Sequence, residues 1–128
     1  MNLLLDTHTF IWWADVPEKL SANALTALED ENNRLILSVV SVWEMQIKSQ
    51  LMKLKLSLPL KDLIESQQQA NELEILPVRI EHVLALDSLP LHHKDPFDRL
   101  LVAQSMVEQT AIVSIDSKLS AYSVSLLW

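Results

Sequence analysis

Residues 92–104, HHKDPFDRLLVAQ, carry the signals of a helix start. Asp95 is of the residue type preferred at an N-cap, and Pro96 follows at the first helical position, where its missing N–H costs nothing. Asp98 comes three residues after the cap, facing the positive end of the helix dipole. Apolar residues then recur at helical spacing, which predicts a long helix ending near Gln109. Helix-start chemistry accounts for Asp95 and is one of two open interpretations for Asp98.

Three further acids follow short apolar runs of the kind found in buried strands. They are Asp6 after residues 3–5, Glu44 after residues 35–38, and Asp116 after residues 111–115. Because functional groups gather at the carboxyl ends of strands in open parallel sheets, we expect these acids to meet Asp98 at one edge. Carboxylates held together repel one another unless cations neutralise them, and hard divalent cations prefer oxygen ligands. The sequence therefore favours metal-dependent hydrolysis of a phosphodiester.

Each of these acids also has a structural interpretation. Asp6 ends a strand, and Thr7 or Thr9 would cap the helix after it. Ser41 and Glu44 have the spacing of a capping box, in which the glutamate folds back on the serine N–H. Asp116 is itself able to cap a short helix. Any one acid alone is explained without catalysis, so the functional hypothesis rests on their joint placement.

The histidines and lysines near the acids give weaker evidence for a functional site than the acids do. Loop histidines are usually solvated rather than ligands, and this applies to the three that neighbour the acids, His8, His92 and His93. The densest positive patch follows Glu44 and consists of Lys48, Lys53 and Lys55. From the sequence alone, this patch is typical of a solvated helix face.

Composition narrows the class of protein. The chain has 128 residues, 49% of them hydrophobic, which suffices for one domain with a core. Cysteine is absent, which excludes a thiolate metal site and suits a reducing cytoplasm. Glycine is also absent, which argues against a phosphate loop or dinucleotide fingerprint. The net charge of −7 argues against binding nucleic acid through a basic surface alone. No apolar run suggests a signal peptide or a membrane span.

Predicted strands alternate with predicted helices along the chain, which favours a parallel sheet covered on both faces. The strands are expected at residues 3–5, 35–39, 74–78, 111–115 and 124–128. The third contains Pro77, which predicts a strand end or a sheet edge. No linker or repeat divides the chain.

Four segments together resemble the acidic motifs of the PIN-domain family, especially the VapC-type toxins of bacterial toxin–antitoxin pairs. They are Asp6-Thr7-His8, Ser41-Val42-Trp43-Glu44, the run from Asp95 to Gln104, and Ser114-Ile115-Asp116. The likeness spans nearly the whole chain in the family's order and spacing, and the third segment is the most specific. The chain departs from the family at Met52 and Ser123, where glycine is common.

The resemblance implies an α/β fold, a three-layer α/β/α sandwich around a central, mostly parallel sheet, with residues 1–128 as a single PIN-like nuclease domain. It implies a ribonuclease that uses Mg²⁺ or Mn²⁺. The catalytic and metal-binding acids would be Asp6, Glu44, Asp98 and Asp116.

Supporting roles are implied for other residues. Asp95 would be peripheral, and the Ser114 hydroxyl would orient Asp116 or a metal-bound water. Arg99 would pair with an acid or a phosphate. The lysine patch would contact RNA through Lys48, Lys53 and Lys55. The implied partners are an RNA substrate, an antitoxin that lays a basic side chain over the acidic groove, and a second copy in a homodimer.

Two alternatives to the nuclease stay open. One is a catalytically silent module that keeps the fold and the antitoxin contact, which the four intact acids disfavour. The other is a phosphoacceptor signalling domain, which would need an acceptor aspartate at a mid-chain strand end. The mid-chain acid is Glu44, close to a helix start, so this alternative ranks lowest.

Overall fold

The structure is a computed structural model that describes residues 1–92 and 95–128. His93 and Lys94 lie outside the described residues. The expectation that His93 is a solvated loop histidine therefore stays a prediction. Strands and helices alternate as follows: β1 Asn2–Leu5, α1 Thr7–Asp15, α2 Ala22–Glu29, β2 Arg34–Ser38, α3 Val39–Gln50, α4 Leu60–Asn71, β3 Glu74–Leu76, α5 Ile80–Ala85, α6 Pro96–Glu108, β4 Ala111–Val113 and β5 Ser125–Leu127. Short 3₁₀ turns cover Pro17–Lys19, Leu86–Ser88 and Ser117–Ala121. Within the described ranges, no helix is long and apolar enough to cross a membrane.

The five strands form one sheet in the order β3-β2-β1-β4-β5. Every neighbouring pair is parallel, so the prediction of a mostly parallel sheet is confirmed and exceeded. Leu3 pairs with Leu35 on one side and with Ala111 on the other, which places β1 in the centre. β3 lies at an edge, as Pro77 after it predicted. The carboxyl ends of all five strands therefore face the same way.

Helices cover both faces of the sheet, which gives the predicted three layers. Side chains alternate along each strand, so Leu3 and Leu5 pack in a cluster with Phe10 of α1 and Met45 of α3. Leu4 faces the opposite side, in a second cluster with residues of α6. Continuous apolar strands are characteristic of parallel sheets buried on both faces, and this explains why the strands show no polar alternation.

Two helix starts differ from the predictions. Asp6, rather than Thr7 or Thr9, is the N-cap of α1. β2 runs directly into α3, whose N-cap is Ser38, so the capping box of Ser41 and Glu44 is wrong. The shift arises because the Ser38 side chain accepts from the Val40 N–H at the strand end, three residues before the predicted cap. The predicted caps at Asp95 and Asp116 are confirmed.

Left-handed backbone occurs in a chain that has no glycine. Met52, Glu72 and Gln109 have φ angles of 57°, 55° and 56°. Glu72 and Gln109 are the C-caps of α4 and α6. A residue with a Cβ pays roughly 1–2 kcal/mol for this conformation, which glycine adopts freely. Met52 stands where the resemblance predicts a glycine, and its left-handed backbone carries this strain.

Candidate functional site

Asp6 lies at the carboxyl end of the central strand and is held from two directions. Its backbone N–H donates to the Val113 carbonyl at 3.2 Å, so it continues the ladder between β1 and β4. Its Oδ1 accepts from the Thr9 N–H at 2.8 Å, which caps α1. The side chain is buried. One oxygen is thus committed to the helix start, and the carboxylate stands at the edge where the sequence placed it.

Glu44 reaches the same edge from α3 and is also buried. The Thr7 hydroxyl donates to its Oε1 at 2.5 Å. The Lys48 ammonium lies 2.9 Å from its Oε2. Because Thr7 directly follows Asp6, the first contact joins the ends of β1 and α3. The structure therefore places Glu44 against the residue that directly follows Asp6.

The start of α6 packs beside α3. Asp95 Oδ1 accepts from the Phe97 and Asp98 N–H groups at 2.8 and 3.2 Å, which makes it the cap and confirms its structural interpretation. The rings of Phe97 and Trp43 meet edge to face with centroids 5.1 Å apart. Trp43 precedes Glu44, so this contact sets the first turn of α6 next to the helix that carries the glutamate. Asp98 is half-buried in that turn.

Asp116 follows β4 in a short connection. Its Oδ1 accepts from the Lys118 N–H at 2.9 Å, which caps the 3₁₀ turn. Its own N–H donates to the Ser114 hydroxyl at 3.0 Å. Ser114 is buried, and its N–H donates to the Leu127 carbonyl of β5. The hydroxyl thus contacts the Asp116 backbone, in agreement with the expectation that it orients this residue.

Arg99 and Lys48 make contacts within the protein that the sequence did not predict. The Arg99 guanidinium donates to the Leu89 carbonyl at 3.3 Å rather than to an acid, in the part of the chain that the structure describes. Its Nε is buried without a hydrogen-bond partner among those residues. Lys48 pairs with Glu44, so it does not simply face solvent as a helix-surface lysine would. Lys53 and Lys55 are exposed in the segment between α3 and α4.

Asp6 directly follows the end of β1 and Asp116 lies close after the end of β4, while Glu44 lies in α3 and Asp98 in the first turn of α6. The described residues do not bring these four acids together as a ligand set, which differs from the expectation that they meet at one edge. Within residues 1–92 and 95–128, no group of three or more acidic or histidine side chains is arranged to hold a metal ion. Three of these carboxylates are instead held by hydrogen-bond donors of the protein: an oxygen of Asp6, of Glu44 and of Asp116 each accepts from a neighbouring group. The donor type nonetheless fits hard divalent cations, which take carboxylate oxygens.

A second polar cluster links β2 to α5 and α6, and the sequence did not reveal it. Ser38 donates to Gln104 Oε1 at 2.5 Å, and the Gln104 amide lies 3.3 Å from His82 Nδ1. His82 Nδ1 accepts from the Arg79 N–H at 3.0 Å, so its Nε2 carries the proton given to Glu108 at 2.8 Å. His82 and Gln104 are fully buried. We call Ser38, Gln104, His82 and Glu108 the Gln104 network.

The charged member of the Gln104 network is Glu108, whose pKa is lowered by its neighbours. The hydrogen bond from His82 holds the pKa of Glu108 below its ordinary value of 4.5, and the Arg79 guanidinium, which also bonds Glu108, acts in the same direction. Gln104 is the one member of this network that lies in residues 92–104, the segment that the sequence analysis singled out. The other functional residue missed was Thr7, which was considered as a cap but instead binds Glu44.

Comparison with known proteins gives matches over most of the chain. The family model described as PIN domain matches residues 3–124. Ribonuclease VapC22 of Mycobacterium tuberculosis (strain ATCC 25618 / H37Rv) is 26% identical over 122 residues, which cover 94% of this chain and 92% of that protein.

Solved structures resemble the fold. The crystal structure of VapBC2 from Rickettsia felis, bound to a DNA fragment from their promoter, matches with a TM-score of 0.75 and 16% identity, covering 98% of this chain and 97% of that one. FitAcB from Neisseria gonorrhoeae matches with a TM-score of 0.63 and 17% identity, covering 97% of this chain and 95% of that one. At these identities, the structural matches show a shared fold.

Proposed function

The chain belongs to the PIN domain family, and from that premise we propose that it is a metal-dependent endoribonuclease, the toxin of a toxin–antitoxin pair. The observation that carries this proposal is the hydrogen bond by which Thr7, the residue after Asp6, holds the buried Glu44 carboxylate at the carboxyl edge of the sheet. Buried carboxylates are costly unless they serve as ligands or are paired. The similarity to a relative named as a ribonuclease supports the same reaction class.

We assign Mg²⁺ or Mn²⁺ to the acidic edge. Asp6, Glu44, Asp98 and Asp116 supply oxygen donors of the type these ions prefer. When bound, such ions activate a water and stabilise the leaving oxygen of a phosphodiester. The contribution of the chain is to fix the donors: Asp6 through the ladder to β4, and Glu44 through Thr7. The hydrogen bonds described above engage one oxygen of Asp6 and one of Asp116, and the second oxygen of each carboxylate is the proposed donor to the ion.

Other proposed roles are less central. Ser114 positions Asp116 through its backbone, and Asp95 holds the helix that carries Asp98. Arg99, whose guanidinium bonds the Leu89 carbonyl, is proposed to pair with a phosphate of the RNA. Exposed Lys53 and Lys55 remain the proposed RNA contacts.

The proposed partners follow from the relatives. The similar solved structures are described as VapBC and FitAcB assemblies, which supports an antitoxin for this chain. We also propose a homodimer, a single nuclease domain over residues 1–128, and a cytoplasmic setting. Light scattering on the purified chain checks the dimer: a mass of 14.6 kDa would contradict it.

The decisive experiment is cleavage of mixed structured RNA by purified, antitoxin-free protein with Mg²⁺, with Mn²⁺ and with chelator. Wild type is compared with Asp98→Asn and with Asp62→Asn, an exposed acid in the first turn of α4. We expect D98N to lose at least about a hundredfold in rate, since it removes a ligand of the reacting centre, while D62N cuts like wild type. Cutting that survives in D98N or in chelator would contradict the proposal.

The alternative function is a catalytically silent binding module that engages an antitoxin-like partner. It predicts a folded protein that neither cuts RNA nor binds Mn²⁺ in calorimetry. A folded protein that binds Mn²⁺ and fails on mixed RNA indicates a narrow RNA target, which a wider substrate set then tests.

A further inference from the structure

Both oxygens of the Glu44 carboxylate are engaged within the chain. Thr7 donates to Oε1, and the Lys48 ammonium lies against Oε2. The Glu44 side chain is only 9% exposed, while that of Lys48 is 37% exposed. The ammonium therefore sits on the solvent side of a carboxylate that is otherwise enclosed. A cation from the chain itself occupies the open side of Glu44.

This ion pair differs from an ordinary surface pair of the same spacing. Lys61 and Glu65 are also four residues apart on a helix, yet their charged atoms are 3.8 Å apart and their side chains are 82% and 50% exposed. Surface pairs of that kind contribute little, because water and salt screen them. A buried carboxylate that lacks a cation carries a large desolvation cost, so the partner of Glu44 matters far more.

We propose that Lys48 is a built-in competitor of the divalent ion at Glu44. This inference rests on the metal-dependent function proposed above. In the metal-free protein, Lys48 neutralises Glu44 and keeps the carboxylate in place. A divalent ion that approaches Glu44 must displace the ammonium from Oε2 or bind beside it, and both routes cost free energy. Lys48 therefore lowers the affinity of the site for metal, and its role is positioning rather than RNA contact.

The test is calorimetric titration of Mn²⁺ into metal-free protein. Lys48→Met keeps the length of the side chain and removes the charge, so we expect Mn²⁺ to bind about tenfold more tightly, a change of about 1.4 kcal/mol. The matched control is Lys61→Met, which removes the charge of the exposed lysine in the surface pair with Glu65. K61M should bind Mn²⁺ as wild type does, within about twofold, because exposed charges are screened.

A double-mutant cycle ties the effect to the ion pair. With Glu44→Gln in the background, Lys48 has no carboxylate to hold, so adding K48M should leave the remaining Mn²⁺ affinity unchanged. Lys48→Gln is titrated alongside, and circular dichroism establishes that each variant is folded, so that loss of structure in K48M does not decide the outcome.

The results separate this inference from the proposed function. If wild type binds Mn²⁺ and the folded Lys48 variants bind it equally or more weakly, the competitor role is overturned while the nuclease stands. An increase in affinity that persists in the E44Q background overturns it too, since the effect then does not pass through Glu44. If neither wild type nor variants bind Mn²⁺, the metal-dependent function fails and this inference fails with it.

Discussion

Two polar clusters lie inside this protein, and they are built differently. The Gln104 network joins Ser38, Gln104 and His82 through neutral hydrogen bonds, with its charge at the outer end on Glu108. The cluster around Glu44 instead holds a charge within it and balances that charge with Lys48. Buried neutral networks stabilise a fold when every member is satisfied, whereas buried charges need a partner that an ion is able to replace. The first cluster is suited to holding the helices together and the second to exchanging a ligand.

The largest expected effect tests the structural side of this contrast. Gln104→Leu leaves the buried Ser38 hydroxyl without its acceptor, while His82 keeps its bonds to Arg79 and Glu108, so we expect the free energy of unfolding to fall by about 2 kcal/mol. Urea denaturation measures the change, with exposed Gln69→Leu as the control. RNA cleavage per folded molecule should stay near that of wild type. A loss of less than about 0.5 kcal/mol would remove the structural role assigned to the network.

A second substitution addresses the Glu44 side. Thr7→Val removes the donor to Oε1 at almost constant volume and should cost about 1 kcal/mol of stability. Cleavage should fall by about tenfold or more, because the carboxylate loses the contact that orients it. Thr9→Val is the matched control, since the Thr9 hydroxyl is also buried but bonds the Val113 carbonyl. If T9V and T7V lose equal activity, the contact with Glu44 has no special part in catalysis.

Substitutions at two helix ends should stabilise the protein, whereas the two substitutions above should destabilise it. Met52, just after α3, and Gln109, at the end of α6, both have left-handed backbone. Glycine at either position should raise the free energy of unfolding by up to about 1 kcal/mol, since the relief of strain exceeds the extra entropy of the unfolded chain. Met52 is 92% exposed, so Met52→Gly sacrifices almost no packing. Destabilisation by M52G in a urea titration would show that this side chain has a stabilising contact.

The smallest expected effect concerns pH. Because His82 and Arg79 lower the pKa of Glu108 in the folded state, its ionised form contributes stability above the ordinary value of 4.5. That contribution is lost as pH falls through the lowered pKa. Glu108→Gln should therefore be less stable than wild type near neutral pH, and the gap should close under acid. Denaturation across this range measures it, with exposed Glu18→Gln as control, and a pH-independent gap would contradict the linkage.

Local chemistry was readable from the sequence, and long-range chemistry was not. The N-caps at Asp95 and Asp116 depend on the next few residues, so they were predicted correctly. The sheet followed from continuous apolar strands alternating with helices. The capping box at Ser41 failed because β2 passes into α3 without a loop, and the β-branched first turn of α3 looks like strand.

Side-chain partners far apart in sequence left no local pattern. Thr7 meets Glu44 across 37 residues, and Ser38 meets Gln104 across 66. Only packing of the complete sheet brings such groups together. Topology predicted that Asp6 and Asp116 lie at the carboxyl ends of their strands, but the ion pair between Lys48 and Glu44 could be found only from the geometry of a buried carboxylate.

The central position of β1 has a consequence for synthesis on the ribosome. β1 is made first, but its neighbour β4 begins only at Ala111, and Asp116 comes later still. At translation rates of about 5–20 residues per second, roughly 5–20 s separate the two strands. During that interval the nascent chain lacks half of the pairing of β1 and also lacks Asp116, one of the acids of the proposed site. A growing chain would therefore acquire the proposed nuclease site only after Asp116 has been made.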